Sequence, residues 1–130
     1  RRKRFPEDAA TLLYQGYVYE LLKKYSNAEI LYRKSLEMEP ENHRAMLRLS
    51  TLLIKTGKYE EAQSFLESLT RKYPDYTVGL WNLGLLYQKL DELESAEQAL
   101  EEVVRLDPAN TRAQAQLERI REELAPVISQ

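Results

Sequence analysis

The sequence has no cysteine, a single histidine and no long apolar run, and each of these shortages excludes a class of function. Without cysteine, the 130 residues hold no disulfide, no thiol nucleophile and no cysteine-ligated metal. The lone His43 cannot by itself make a zinc site of the usual composition. No apolar stretch approaches the ~18 residues that a membrane-spanning helix needs, so we expect no direct membrane insertion by this segment.

Motifs of catalysis and nucleotide binding are also missing. The sequence contains no glycine-rich phosphate loop and no nucleophile motif. Acidic pairs such as Glu101 and Glu102 are typical of solvated helix faces. We therefore expect no enzymatic activity, no metal and no cofactor. The net charge of −2 gives no overall attraction to nucleic acid, which is not an expected partner.

What the sequence does contain is a repeat of 34 residues. Small residues, alanines and prolines recur at this period, at Gly16, Ser50 and Gly84, at Ala28, Ala62 and Ala96, and at Pro40, Pro74 and Pro108. A fixed period of this length is typical of helical solenoids. The small residues let a second helix pack closely, and each proline ends that second helix. Each period therefore predicts one antiparallel helix pair with a close crossing.

The repeats resemble the tetratricopeptide repeat family, whose pattern is W-x2-L-G-x2-Y, then A-x3-F, then P. Residues 80–87 read L-W-N-L-G-L-L-Y, and Ala96-x3-Leu100 and Pro108 follow them. The two earlier periods keep the same skeleton more loosely, with Gln15 in place of a leucine. The resemblance covers about residues 9–110. It implies an all-α, right-handed α-solenoid of three helix-turn-helix repeats.

A capping helix follows the third repeat. Ala113, Leu117, Ile120 and Leu124 share one helical face, and the remaining faces are polar. A terminal helix of this kind closes a repeat array. The expected organisation is one domain with seven helices, in which the segments are a basic N-terminal tail at 1–8, repeats at 9–42, 43–76 and 77–110, the capping helix at 111–125 and a C-terminal tail at 126–130.

Local signals place some of the helix ends. Gly57 is expected to end a helix in the left-handed conformation. Two short motifs, Ser26 with Glu29 and Asp91 with Glu94, predict N-terminal caps of the second helices in repeats one and three. In the first helix, Thr11 and Gln15 occupy positions that are apolar in the later repeats. This indicates that the array starts here, with Val18 and Leu22 left partly bare or covered by Phe5.

The family resemblance also implies a binding surface. In tetratricopeptide repeat proteins the first helices of the repeats line a concave groove that holds a partner peptide or helix. The positions carried over here are rich in apolar and basic side chains, and the candidate partner-binding residues are Leu13, Tyr17, Arg44, Leu47, Arg48, Ile54, Val78, Trp81, Leu85 and Lys89. A contiguous apolar strip usually marks an interaction site. The alternative is that Trp81 and its neighbours serve packing between repeats.

One well-known subtype of the family binds the acidic tail of heat-shock chaperones through a carboxylate clamp. That clamp requires lysine where this chain has Leu13, asparagine where it has Tyr17 and Arg48, lysine where it has Val78, and arginine where it has Asn82. None of the five matches, so the resemblance disfavours a chaperone tail. The apolar strip instead favours an apolar or amphipathic segment of a partner protein. Arg44, Arg48, Lys55 and Lys89 could still attract an acidic or mixed ligand.

The sequence thus favours a non-catalytic scaffold or adaptor that holds a peptide or helix of another protein in its groove. Two alternatives stay open. The strip or the bare face of the first helix could pack on a second copy, which would make a homo-oligomer. The segment could also be the regulatory part of a larger enzyme or of a membrane-anchored assembly factor. We expect a cytoplasmic location. The basic residues at 1–4 suggest an alternative, in which an upstream segment tethers the chain to a membrane.

Overall fold

The structure is a computed structural model that describes residues 7–126, so the basic residues at 1–4 lie outside it. The described part contains seven α-helices and no strand. Each helix has 13 or 14 residues, and they are α1 (Ala9–Leu21), α2 (Tyr25–Met38), α3 (His43–Lys55), α4 (Tyr59–Lys72), α5 (Thr77–Lys89), α6 (Leu93–Leu106) and α7 (Thr111–Leu124). The number of helices is the predicted number.

The chain divides into two compact units, Arg1–Phe65 and Leu66–Gln130, and the division falls within α4. In the first unit α1 packs against α2, and α3 packs against α2 and touches α1. In the second unit α6 packs against both α5 and α7. Every helix except α4 lies wholly within one unit. The predicted boundaries of the repeats stay a prediction.

The small residues of the repeat lie where two helices cross. A Cβ atom on Gly16 would stand 2.6 Å from two ring carbons of Tyr32, which is fully buried on α2. At the equivalent position in α5, a Cβ on Gly84 would stand 3.1 Å from Cγ of Leu100. Ala28 and Ala96 are fully buried on the partner helices. The helices of a pair approach closely because a large side chain on one helix packs against a glycine on the other.

A buried hydroxyl also joins the first pair. Ser35 is fully buried on α2, and its Oγ donates a hydrogen bond of 2.8 Å to the backbone oxygen of Ala9. Without this bond the hydroxyl would cost free energy in an apolar core.

Asp8 caps α1, since its Oδ1 accepts a bond of 2.7 Å from the backbone N–H of Thr11. The bond satisfies one of the amides that have no partner inside the helix.

The same turn joins the two helices of every repeat. Its key residue has a positive φ and recurs at the repeat period, at Lys23 (62°), Gly57 (83°) and Asp91 (62°). In the first turn the backbone N–H groups of Lys23 and Lys24 donate to the carbonyls of Glu20 and Tyr19, both at 2.9 Å. These two bonds and the left-handed residue define a Schellman motif. The left-handed conformation predicted for Gly57 is confirmed.

The N-terminal caps predicted from Ser26 with Glu29 and from Asp91 with Glu94 are wrong. The residues that precede α2 and α6 are Lys24 and Glu92, and neither makes a side-chain capping bond. The reason is the compact turn, since the second helix begins directly after the left-handed residue and its neighbour. Ser26 therefore lies inside α2, too late in the chain to cap it.

The turns give a matched pair of stability predictions. A non-glycine residue in the left-handed region costs roughly 1–2 kcal/mol, and glycine avoids that cost. We expect Lys23→Gly to raise the free energy of unfolding by about 0.5–1 kcal/mol, because the greater freedom of glycine in the unfolded chain offsets part of the gain. Gly57→Ala should lower it by a similar amount. Denaturation followed by circular dichroism measures both changes.

The control is the next residue, Lys24, which has a φ of −94°. Glycine has no conformational advantage there, so Lys24→Gly should be neutral or destabilising. If Lys23→Gly and Lys24→Gly changed the free energy of unfolding alike, the left-handed residue would not be the cause.

The core of the second unit joins the last helix to the repeat before it. Seven buried residues form one cluster, namely Leu80, Ala96, Leu100, Val103, Ala113, Leu117 and Ile120. The three that α7 contributes all belong to the apolar face read from the sequence. The opposite side of α7 is exposed and carries Glu118, Arg119 and Glu122. This distribution is that of a helix that covers one repeat and faces solvent on its other side.

Candidate partner-binding surface

In the first unit, the candidate residues lie on neighbouring sides of α1 and α3. Leu13, Tyr17, Leu47 and Ile54 are half-buried, and Arg44 and Arg48 are accessible to solvent. On α3 the four candidates fall on one helical face, since residues three, four and seven positions apart share a side. The face combines apolar side chains with guanidinium groups. It is therefore suited to a ligand that is itself amphipathic.

Arg48 is positioned by an aromatic ring. Its guanidinium carbon lies 4.1 Å from the centroid of the Tyr17 ring, which belongs to α1. A stacked guanidinium keeps its charge and its N–H donors at the ring's edges, while the ring restricts its motion. Tyr17 and Arg48 occupy two of the positions that the chaperone-binding subtype requires for its clamp. Here they form a cation–π pair instead, which supports recognition of a different ligand.

A buried carboxylate joins α1, α2 and α3 beside this face. Glu20 has a side chain only 10% exposed, and it accepts hydrogen bonds from Tyr32 at 2.6 Å and from Lys55 at 2.9 Å. Burial, followed by the Glu20 carboxylate, raises the pKa of the Tyr32 phenol. The bond with Glu20 likewise raises the pKa of Lys55. Tyr32 therefore stays protonated as a donor, and Lys55 stays charged.

This network corrects one expectation about the charges of the surface. Lys55 was among the four cations expected to attract an acidic ligand, but its ammonium group is held by Glu20. The sequence shows the two residues 35 positions apart, and only the packing of α1 against α3 brings them together. Arg44 and Arg48 are the candidates in this unit whose charge remains accessible to solvent.

In the second unit, Val78 and Trp81 line a pocket of about 240 Å³. Val78 is 47% exposed, and Trp81 is half-buried against the core cluster. The other residues that line the pocket are Thr77, Val103, Asn110 and Arg112. A concave site with an aromatic wall is suited to one apolar side chain of a ligand. Trp81 thus packs against the core cluster and also forms part of the pocket wall, so both interpretations of this residue apply.

Arg112 is a residue of this surface that the sequence pattern did not single out. Its guanidinium carbon lies 5.2 Å from the centroid of the Trp81 ring, at the edge of the pocket. The repeat register contains a signal for it, since 112 is 34 positions after Val78 and 68 after Arg44. The polar faces of α7 are typical of a helix that only caps the array, so the pattern of α7 does not indicate that Arg112 belongs to the surface. Arg112 supplies a positive charge beside the apolar wall.

Leu85 and Lys89, the remaining candidates, lie further along α5. Leu85 is half-buried and Lys89 is exposed. The neighbouring Gln88 accepts a hydrogen bond from the side-chain amide of Gln116 on α7. All ten candidate residues are thus at least partly accessible, six in the first unit and four in the second. That their apolar members form one strip stays a prediction.

Charge is distributed unevenly between the two kinds of helix. The first helices of the repeats, α1, α3 and α5, hold one acidic residue and four basic ones. The second helices, α2, α4 and α6, hold nine acidic residues and five basic ones. The single acid of the first group is Glu20, which is paired with Lys55 and Tyr32. A ligand bound to the first helices therefore meets mainly positive charge, despite the negative net charge of the chain.

Other kinds of site are missing from residues 7–126. No group of three or more acidic or histidine side chains within this range is placed to hold a metal ion. None of the seven helices is long and apolar enough to cross a membrane. The candidate sites in the described part of the chain are the face of α1 and α3 around Tyr17 and Arg48 in the first unit and the pocket beside Trp81 in the second.

Comparison with known proteins identifies the family. Residues 21–79 and residues 79–110 match the tetratricopeptide repeat. The chain therefore belongs to the tetratricopeptide repeat family, and the predicted fold class, an all-α solenoid of such repeats, is confirmed.

Two relatives and one solved structure show the range of proteins in which similar repeats occur. Human protein O-mannosyl-transferase TMTC3 is 34% identical over 97 residues, which cover 73% of this chain and 10% of that protein. The STIP1 homolog of Dictyostelium discoideum is 30% identical over 105 residues, which cover 80% and 18%. The chain thus spans only a small part of these relatives.

The solved structure is the first repeat domain of Spaghetti (RPAP3), bound to the HSP90 peptide SRMEEVD. It superposes with a TM-score of 0.85 at 26% identity and covers 92% of this chain and 94% of that one.

Proposed function

We propose that this chain is a non-catalytic adaptor that binds an amphipathic, acidic segment of a partner protein on the first helices of its repeats. One observation carries the proposal, namely that these helices expose apolar and basic side chains together while their only acid is already paired. A helix face that contacts only solvent would carry both acidic and basic side chains. The complex of the RPAP3 domain with a peptide supports binding of this general kind.

The two units offer different contacts. In the first, Arg48 stacked on Tyr17 presents guanidinium N–H groups to a carboxylate, next to Leu47. In the second, the pocket beside Trp81 accepts an apolar side chain, and Arg112 lies at its edge. We propose that each contact binds one feature of a ligand, the first a carboxylate and the second an apolar side chain. Aromatic residues and arginine commonly dominate the energy of such interfaces.

Selection from a displayed peptide library tests this proposal even while the partner is unidentified. The immobilised chain should enrich peptides that combine Asp or Glu with Leu, Ile or Phe. A selected peptide should then bind the Arg48→Glu and Trp81→Ala variants roughly 10- to 100-fold more weakly, equivalent to about 1.4–2.8 kcal/mol. Fluorescence anisotropy of the labelled peptide measures each dissociation constant, and raised salt should weaken binding to the unaltered chain.

The matched control is Met38→Glu, which places a charge at a 50% exposed apolar position on α2, outside the proposed surface. Its affinity should stay within about twofold of the unaltered chain. Equal losses in the control and in Trp81→Ala would place the site elsewhere. The peptide SRMEEVD is expected to bind poorly, because none of the five clamp positions carries the required residue. Tight binding of SRMEEVD would contradict the inference drawn from the clamp positions.

A second proposal is that these repeats form the regulatory part of a larger enzyme or of a membrane-anchored assembly factor. The observation in its favour is the similarity to TMTC3, of which the chain covers 10%. Determining the complete coding sequence tests it. A transferase domain or a membrane-spanning segment encoded with these repeats would support this proposal, and a coding sequence limited to repeats would contradict it.

A further inference from the structure

The pocket of the second unit is lined by two kinds of side chain. Val78, Trp81 and Val103 form an apolar wall, in which Val103 is buried and Trp81 is half-buried. The other three lining residues are polar, and they are Thr77, Asn110 and Arg112. A ligand in this pocket therefore meets an apolar surface and polar groups within the same small space.

The polar lining residues keep hydrogen-bond donors that no group in the described part of the chain uses. Asn110 caps α7 with its Oδ1, which accepts a bond of 3.0 Å from the backbone N–H of Ala113, so its Nδ2 remains as a donor. The guanidinium group of Arg112 contacts the Trp81 ring and forms no ion pair within residues 7–126. The hydroxyl of Thr77 likewise has no hydrogen bond in this range. Donors of this kind are suited to an anionic oxygen.

The positive charge of Arg112 is not offset by an acid at the pocket. None of the six lining residues is acidic. Asp75 and Asp107, which belong to the adjacent loops, are exposed and lie outside the lining. Arg121 on the same helix is different, since two carboxylates of α6 bind it at 3.0 and 2.7 Å. The pocket is therefore complementary to a ligand with one negative charge.

The size of the pocket limits what can supply both an apolar group and that charge. Its volume is about 240 Å³, whereas a cavity of ~150 Å³ holds a benzene molecule, so the pocket has room for about one residue of a peptide. No residue in the interior of a chain combines an apolar side chain with a negative charge. The last residue of a chain does, because its α-carboxylate is attached to the carbon that carries the side chain.

We infer that this pocket binds the C-terminal residue of a partner protein, whose apolar side chain packs on Trp81 while its carboxylate accepts hydrogen bonds from Asn110 and Arg112. The inference rests on the proposed function and narrows it, since it names the part of the ligand that the second unit binds. The donors belong to α7 and differ from the five clamp positions of the chaperone-binding subtype. The peptide SRMEEVD ends in aspartate, whose charged side chain does not suit the apolar wall.

Peptides displayed with a free C-terminus test the inference on the full chain. The selected peptides should end in Leu, Ile, Val or Phe. A selected peptide that is resynthesised with a C-terminal amide should bind at least about 10-fold more weakly, because the amide carries no charge. Fluorescence anisotropy of the peptide, labelled at its N-terminus, gives both dissociation constants. Trp81 is the only tryptophan of the chain, so its emission should change when the acid binds.

Two variants of α7 test the donors. Arg112→Gln should weaken the acid about 10-fold and leave the amide within about twofold. Asn110→Asp keeps an oxygen that caps the helix but replaces the donor with a second carboxylate. It should therefore weaken the acid at least ~10-fold without lowering the melting temperature. The matched control is Arg119→Gln, which removes the same charge from an exposed position of α7 outside the pocket and should change neither constant more than about twofold.

The outcomes separate this inference from the proposed function. Equal binding of acid and amide would overturn the inference and leave the proposed function standing, and so would an acid that binds without changing the emission of Trp81. Arg112→Gln affecting acid and amide alike, or no more than Arg119→Gln does, would also overturn it. A chain that binds no peptide, with either a free or a blocked C-terminus, would overturn both.

Discussion

Replacing Tyr32 with alanine is expected to lower the free energy of unfolding by about 3–5 kcal/mol, the range of large-to-small changes at buried aromatic residues. Tyr32 is fully buried, and its ring lies against the position where Gly16 has no side chain. The cavity cannot be filled from α1, because glycine offers no atoms to move into it. The cost should therefore fall in the upper part of this range. Urea denaturation followed by circular dichroism gives the free energy of unfolding.

Tyr32→Phe separates the ring from the hydroxyl. This variant keeps the packing against Gly16 and removes only the donor to Glu20, which retains its bond to Lys55. The loss should be about 1–2 kcal/mol, since a largely buried acceptor loses one of its two partners. If alanine and phenylalanine at position 32 cost the same, the ring would not be the element that holds the first helix pair together.

The second large effect is expected at Leu100 in the other unit. Leu100→Ala should cost about 2–5 kcal/mol, because this fully buried residue is part of the cluster that joins α5, α6 and α7. Its side chain also lies against Gly84, so the space would again be left empty. The free energy of unfolding is measured in the same way. Gln98→Ala, a change at an exposed position on the same helix, should alter it by less than about 0.5 kcal/mol.

A compensating change makes the second prediction specific to the helix crossing. In the unaltered chain, Gly84→Ala would place a Cβ atom 3.1 Å from Cγ of Leu100, which is closer than such contacts normally are. In the Leu100→Ala background the same Cβ has room and fills part of the cavity. Gly84→Ala should therefore be more favourable in the variant, with a coupling of about 0.5–2 kcal/mol. Additive changes would contradict the contact.

The repeat fold could be predicted from the sequence because its critical positions restrict residue type. Where two helices cross closely, only glycine, alanine or serine fits, so Gly16, Ala28 and their equivalents recur at a fixed distance. The turns were harder to predict. Gly57 signals a left-handed residue, but Lys23 adopts the same conformation, and lysine has no preference for it. The backbone hydrogen bonds of the turn impose this conformation, and no residue type in the sequence predicts them.

The accessibility of the candidate residues and their charges could be predicted only in part. The repeat register places the candidate side chains on the accessible sides of their helices, because helical spacing decides that. Which charges remain available depends on contacts between helices. Lys55 is held by Glu20, and Arg112 reaches the pocket from a helix whose pattern is that of a cap. Such pairings depend on distances between residues that lie far apart in sequence, and a pattern does not contain these distances.

The salt bridges between neighbouring helices have a consequence for how fast the chain folds. Lys55 and Glu20 lie 35 positions apart, and the ion pair of Arg33 with Glu61, at 2.6 Å, spans 28. Each bond thus closes a loop of about one repeat, and the entropy lost on closing a loop grows only slowly with its length. Folding can therefore begin in one repeat and spread to the next without waiting for distant parts of the chain. A newly synthesised repeat can form its helix pair as soon as the following helix has emerged.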